Sequence, residues 1–246
     1  MYFLTLSGHL IGNYYLKYIP FMREKGKLAL IIIQSLIYSA LLTAIFSLFL
    51  PMKGILFGAI VTMGVHFTID LLHHVLLTLQ QGKRTGKKWM LGLEIGDLFL
   101  HILFFYLFFQ YSENIALKSW ANEVLHHLLF LKSNYPLSTR INILFGYLFL
   151  MTPSSFLMRY ALLAIFPDGI YERERDNIGS IIGNIERIIV FTLSVMDLYP
   201  SIALVITAKS LARFKQLEDR SFAERYLIGT LLSFLIALLV AFFLFS

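Results

Sequence analysis

Apolar stretches of roughly the length needed to cross a bilayer recur along this chain, and no other feature constrains its fold as much. A membrane helix takes about 20 mostly apolar residues, because the hydrocarbon layer is roughly 30 Å thick and an α-helix rises about 1.5 Å per residue. On that ruler the runs fall at 2–19, 28–50, 54–79, 91–111, 141–166, 178–199, 201–214 and 227–245. The run at 201–214 is short and ends in Lys209 and Arg213, which suits a half-span or a tilted, interfacial helix. The first run carries His9, Asn13 and Lys17 and has no small-residue cleavage site, so it reads as part of the mature chain rather than a signal peptide.

Composition agrees. Hydrophobic residues make up 58% of the 246 and charged residues 15%, with a mean hydropathy of +0.72, whereas an average soluble domain is about 45–50% apolar. A soluble globular fold and a disordered chain are both excluded. The absence of cysteine removes disulfides, thiolate metal sites and cysteine nucleophiles. The expected fold class is therefore all-α: a polytopic transmembrane helical bundle of about eight spans in two four-helix halves, 1–111 and 141–246, joined by a linker over 112–140.

The net charge of +6 is a matter of topology. Arg23, Lys25 and Lys27 lie on the first connection, Lys83, Arg84, Lys87 and Lys88 on the third, Arg173 and Arg175 on the fifth, and Arg213, Lys215, Arg220 and Arg225 on the seventh. The alternate connections hold only Lys53, Lys118, Lys132 and Arg140. By the positive-inside rule the rich side is cytoplasmic, which places both termini outside a multi-pass protein of a bacterial cytoplasmic membrane. A nucleic-acid partner has no further support. Within the linker, Trp120, Val124, Leu125, Leu128, Leu129 and Leu131 alternate with Glu123, His126, His127 and Lys132, the pattern of a short helix lying in the interface, serving either as a packed loop or as a lid.

Polar residues inside the spans carry the chemistry. His9 and Asn13 stand on the first span, His66 and Asp70 on the third, Asp97 and His101 on the fourth, each pair spaced i, i+4 and so on one helix face. The first and third spans run inward and the fourth outward, so His9, His66 and His101 fall in one layer near mid-membrane, with Asn13, Asp70 and Asp97 a turn closer to the cytoplasm. An ionisable group facing lipid costs from about 2.5 kcal/mol upward, so such groups turn inward and find partners. Gly8 with Gly12, Gly92 with Gly96, and Gly54 with Gly58 are spaced to let backbones approach closely.

Imidazole and carboxylate together suit a divalent metal such as Zn, Mn or Mg, with His9, His66, Asp70, Asp97 and His101 as ligands and either Asp70 or Asp97 as general base for water attacking a lipid-like or amphiphilic substrate. The i, i+4 spacing is that of the HExxH zinc motif, although here each helix supplies a mixed pair. Two other readings use the same residues: a relay in a proton- or ion-coupled transporter, and a hydrogen-bonded core fixing the packing of a structural or regulatory membrane subunit.

In the second half, Glu186 and Arg187 are adjacent and point about 100° apart on a helix, so each needs another partner. Lys209 is the candidate for Glu186, and Glu224 for Arg213 or Arg187. Together these cations form either a pocket for a phosphate or lipid head group or a set of snorkelling side chains with one structural ion pair. Pro153 is expected to kink the fifth span, which also carries Arg159. Small-residue faces permit a homodimer.

Gly-His-Leu-Ile-Gly-Asn-Tyr-Tyr-Leu at 8–16, His-Phe-Thr-Ile-Asp at 66–70 and Asp-Leu-Phe-Leu-His at 97–101 resemble the signature stretches of an uncharacterised bacterial membrane family, domain of unknown function 3307. Its longer members are also similar at 179–187, 208–214 and 223–233. Asn13 stands where that family usually has Asp, and Leu98 where it usually has Gln, so an amide replaces one carboxylate. The resemblance implies membership and topology without an activity. A looser similarity to His/Asp-rich, membrane-bound metal-dependent hydrolases points toward the metal reading.

Overall fold

The computed structural model describes residues 1–15, 28–79, 87–111, 116–129, 135–166 and 177–245. Among these residues the chain is helical throughout, with no strand, as an all-α sequence requires. The connections carrying Arg23, Lys25 and Lys27, Lys83 and Arg84, and Arg173 and Arg175 lie outside the described residues, as do Lys17, Leu131 and Lys132. Met52–Leu76, Leu137–Leu162 and Arg220–Phe245 are long and apolar enough to cross a membrane, while Ile31–Ser47, Leu98–Gln110 and Tyr199–Ala212 are apolar but shorter. The chain divides into two compact units, Met1–Phe145 and Gly146–Ser246.

In the first unit, α1 (Tyr2–Leu10) passes into a π turn over Ile11–Tyr15, and α2 (Leu28–Ser47), α3 (Met52–Leu79), α4 (Lys87–Tyr111), α5 (Ser119–Leu128) and the start of α6 (Leu137–Met151) follow. The turn between α2 and α3 closes when the Leu50 amide donates to Phe46 O at 2.8 Å, and Pro51 then opens α3, where its missing N–H costs nothing. The two helices lie close because Gly58 faces Phe46: a Cβ there would come within 2.9 Å of the ring. Ser39 Oγ donates across the same seam to Ala59 O at 3.0 Å.

The amphipathic helix expected in the linker is α5. Just before it, the Lys118 amide donates to Leu48 O at 3.0 Å and its ammonium to Ser47 O at 2.8 Å, which satisfies the last carbonyls of α2 and sets a cation at the negative end of that helix. Leu125 packs against Leu4 and Ile141, while Trp120 and Val124 remain exposed.

In the second unit, α6 ends at Met151 and α7 (Pro153–Ile165) starts afresh after Thr152. The expected kink is thus a full break, with Pro153 at the first helical position, where a ring without an N–H is best tolerated. Next come α8 (Asn177–Val195), α9 (Tyr199–Ala212), a 3-10 turn over Phe214–Glu218 and α10 (Arg220–Phe245). α8 stops because Asp197 adopts a φ of 58°; the Leu198 amide reaches back to Leu193 O at 2.8 Å and the Asp197 amide to Ser194 O at 3.1 Å, a Schellman closure. α9 has 14 residues, about 21 Å of helix, which falls short of a full span. Asp219 caps α10, its Oδ1 accepting from the amides of Ser221 at 2.8 Å and Phe222 at 3.2 Å. The amide hydrogen bonds from Phe222 and then Ser221 hold its carboxyl below the usual carboxylate range.

α3 and α10 leave many large apolar side chains exposed while burying some polar ones, unlike the helices of a soluble bundle. Thr230 and Ser233 are buried on α10 while Leu231, Leu235, Phe242 and Phe243 are exposed. On α3 it is Thr62 and His66 that are buried and Leu56, Phe57 and Ile60 that are exposed. In water such helices would turn the other way.

Candidate functional site

The site of the first unit begins with α1. Residues Leu4–Leu10 are buried, and two glycines let this helix settle onto α2: a Cβ on Gly8 would stand 2.1 Å from Ile45 Cδ1, and one on Gly12 would stand 2.7 Å from the Tyr38 ring. That approach brings His9 Nδ1 to 2.7 Å from the Tyr38 hydroxyl, with the rings edge to face at 5.5 Å. On α3, His66 Nε2 lies 3.3 Å from Asp70 Oδ2, the i, i+4 pair meeting as its spacing requires. On α4, His101 Nε2 lies 3.1 Å from His66 Nδ1.

The three imidazoles do form one layer. Ring centroids are 4.3 Å apart for His9 and His101, 5.3 Å for His66 and His101, and 6.5 Å for His9 and His66. Tyr38 closes the layer by stacking on His66 at 3.7 Å, and the buried Phe105 ring lies 5.7 Å from His9. All three histidines are at most 2% exposed. Asn13 is equally buried, on the π turn that follows α1; such turns inside helices often mark functional positions. Asp97 lies on α4, but its side chain is outside the described residues. Among the described residues no group of three or more His, Asp or Glu is arranged to hold one metal ion.

Tyr38 is the member that the sequence reading missed. The signal was present: Gln34 with Tyr38 and Ser35 with Ser39 interrupt an otherwise apolar α2 at the same i, i+4 spacing as the three named pairs. The glycine expectation holds only in part. Gly8, Gly12 and Gly58 lie against neighbouring helices, whereas Gly54 touches only its own Leu50 and Pro51, and nothing among the described residues lies within 4 Å of a Cβ on Gly92 or Gly96.

A neutral imidazole donates through one nitrogen and accepts through the other. With its Nε2–H turned toward Asp70 Oδ2, 3.3 Å away, His66 accepts at Nδ1 from His101 Nε2–H. A proton delivered to His101 can then pass by reversal of the tautomers, the carboxylate at the end of the row favouring its arrival. Tyr38→Phe keeps the stacking ring and removes only the hydroxyl at His9 Nδ1. It is expected to cost about 1–2 kcal/mol, read as a lower unfolding midpoint of the detergent-solubilised protein.

The second unit holds the other polar group. Lys209 donates to Glu186 at 2.5 Å, the pairing expected for them. The expectation that Glu224 partners Arg213 or Arg187 is overturned: Glu224 accepts from Arg220 at 3.0 Å, one turn back on its own exposed helix face. Arg213 sits over the Phe222 ring at 6.0 Å. Arg187 donates to Leu150 O at 3.2 Å, Ser233 Oγ at 3.2 Å, Ser155 Oγ at 2.7 Å and Asn184 Oδ1 at 2.5 Å, all neutral acceptors. Leu150 O precedes the break at Thr152, so the guanidinium, together with Ser154 Oγ, serves a carbonyl at the end of α6. Arg159 is exposed on α7.

No family model matches the sequence, and no curated protein or solved structure matches it.

Proposed function

We propose that this chain is a multi-pass protein of a bacterial cytoplasmic membrane, akin to the family that its N-terminal stretches resemble, with about eight spans, both termini outside and a proton-carrying histidine centre in its first unit that couples proton movement to transport of an ion or small solute. The apolar lengths and the exposed apolar side chains of α3 and α10 support the membrane setting. One observation carries the functional part: His66 uses both ring nitrogens, Nε2 toward Asp70 and Nδ1 toward His101, in an environment almost closed to solvent. Buried histidines and carboxylates in a row are what proton pathways in membranes are made of.

The test is proton flux into vesicles containing the purified protein, with an imposed pH gradient and a potassium ionophore to balance charge. Wild type is expected to dissipate the gradient faster than empty vesicles, and His66→Ala and Asp70→Asn to cut that excess at least tenfold. Wild-type vesicles that hold the gradient as long as empty ones would refute the relay.

A metal centre is the second reading, and a specific feature favours it. Metal-ligating histidines almost always engage their outer nitrogen, as His9 does with Tyr38 and His66 with Asp70. Ligand nitrogens about 2.0–2.1 Å from a tetrahedral ion stand roughly 3.3 Å apart, close to the His66–His101 separation of 3.1 Å. His9, His66 and His101 would be ligands, joined by Asp97, with Asp70 holding the outer nitrogen of His66, for hydrolysis of an amphiphilic substrate. Elemental analysis decides: stoichiometric Zn or Mn in wild type that disappears in His66→Ala carries this reading, and its absence from natively purified wild type removes it.

A further inference from the structure

Among the described residues of the second unit, one cluster gathers more positive than negative charge. Glu186 and Arg187 on α8 are 8% and 4% exposed, and Lys209 reaches them from α9. Glu186 is taken by Lys209, and Leu150, Ser233, Ser155 and Asn184, which accept from Arg187, are all neutral, so the three ionised groups together carry one positive charge in excess. A buried charge without a counter-charge is among the most costly arrangements in an apolar surrounding.

A second observation points the same way. Tyr226, Thr230 and Ser233 lie on one face of α10, at i, i+4 and i+7. Ser233 meets Arg187, which places that face against the charged group. The Tyr226 hydroxyl and Thr230 Oγ1 are buried with no hydrogen-bond partner among the described residues, although Thr230 is only 5% exposed. Lys209 Nζ sits 5.4 Å from the Tyr226 ring centre and has two ammonium protons beyond the one given to Glu186. Two unfilled hydroxyls thus lie on the helix face that meets a group of net charge plus one. Water would satisfy the hydroxyls and leave the charge.

We propose that this cluster binds a monoanionic phosphate-class oxyanion, either the phosphodiester of a lipid head group or free inorganic phosphate. Such an anion is acceptor-only and tetrahedral; it takes the spare protons of Lys209 and the hydroxyls of Tyr226 and Thr230, and its charge offsets the excess. This site belongs to the second unit, and the histidine centre to the first.

The test uses the full-length protein. In one arm, detergent-solubilised protein is titrated with sodium phosphate against sodium chloride at fixed ionic strength, and the melting temperature is followed. In the other, the protein in phosphate-free maltoside micelles is titrated with phosphatidylglycerol added to the same micelles. A saturable stabilisation in the first arm identifies the free anion, in the second the lipid head group, and either supports the site. Tyr226→Phe and Thr230→Val preserve side-chain shape, and each is expected to weaken binding about tenfold. Arg220→Gln, on the exposed face, is expected to leave it within twofold. No saturable response in either arm, or one that the combined Tyr226→Phe and Thr230→Val variant leaves unchanged, overturns the proposal.

Discussion

Glu186→Gln is expected to destabilise the protein by about 3 kcal/mol, one of the two largest effects of any single substitution proposed for this chain. The carboxylate accepts from Lys209 at a side-chain exposure of 10%, with Lys209 at 18%. Removing its charge leaves two cations, Lys209 and Arg187, in the same helical unit with no anion between them. Breaking one side of a buried pair is costly for that reason, typically about 3–5 kcal/mol, with the lower end appropriate to a pair that retains some exposure. The matching expectation separates this cause from general disruption. Glu186→Gln with Lys209→Met returns the group to its original excess of one positive charge and is expected to recover at least half of the loss. Melting temperatures of the wild type, the two single variants and the double variant in one detergent provide the measurement, and a double variant worse than the sum of the singles would show that charge is not the cause.

The other large effect is expected at Gly146. A Cβ built there stands 2.2 Å from Phe191 Cζ and under 3.0 Å from both neighbouring ring carbons. Phe191 is fully buried and packs edge to face against Tyr147, with centroids 5.2 Å apart, so the ring has nowhere to go without moving α6 or α8. Overpacking a well-filled interior costs about 1–3 kcal/mol, and Gly146→Ala is expected at the upper end of that range. Phe191→Leu made in the same chain opens the space and should return part of the stability, whereas Gly92→Ala and Gly96→Ala, where nothing described lies within 4 Å, should change the melting temperature by no more than a degree or two. Equal losses at Gly146 and Gly96 would mean that the Phe191 ring does not set the cost, since helix propensity alone favours alanine at both positions.

Some of the site was legible from local spacing. His66 and Asp70 meet because residues four apart on a helix are neighbours wherever the helix lies. The layering of His9, His66 and His101 followed from span direction and depth, quantities that the basic connections and apolar lengths supply. Tyr38 is hard to place in the layer from sequence because its ring suits an apolar surface as well as a polar one, even though Gln34, Ser35 and Ser39 stand beside it on α2. The pairing of Glu224 was misjudged for another reason: Arg220, one turn back on the same helix, is always within reach, whereas Arg187 requires a particular rotation of α10 about its axis. The same limit governs the glycines, since close spacing allows an approach that only a neighbour can use.

The sequence by itself determined what each helix offers: its length, its apolar character, and the local pairs set by a fixed rise and turn. The tertiary structure alone decided which offers are met. Tyr38 against His9, Arg187 against the carbonyl at the end of α6, and Gly146 beneath Phe191 each depend on how one helix is rotated and pressed against another. That rotation is a property of the whole packed unit, because the long apolar helices α2, α3 and α10 carry little asymmetry of their own to set it.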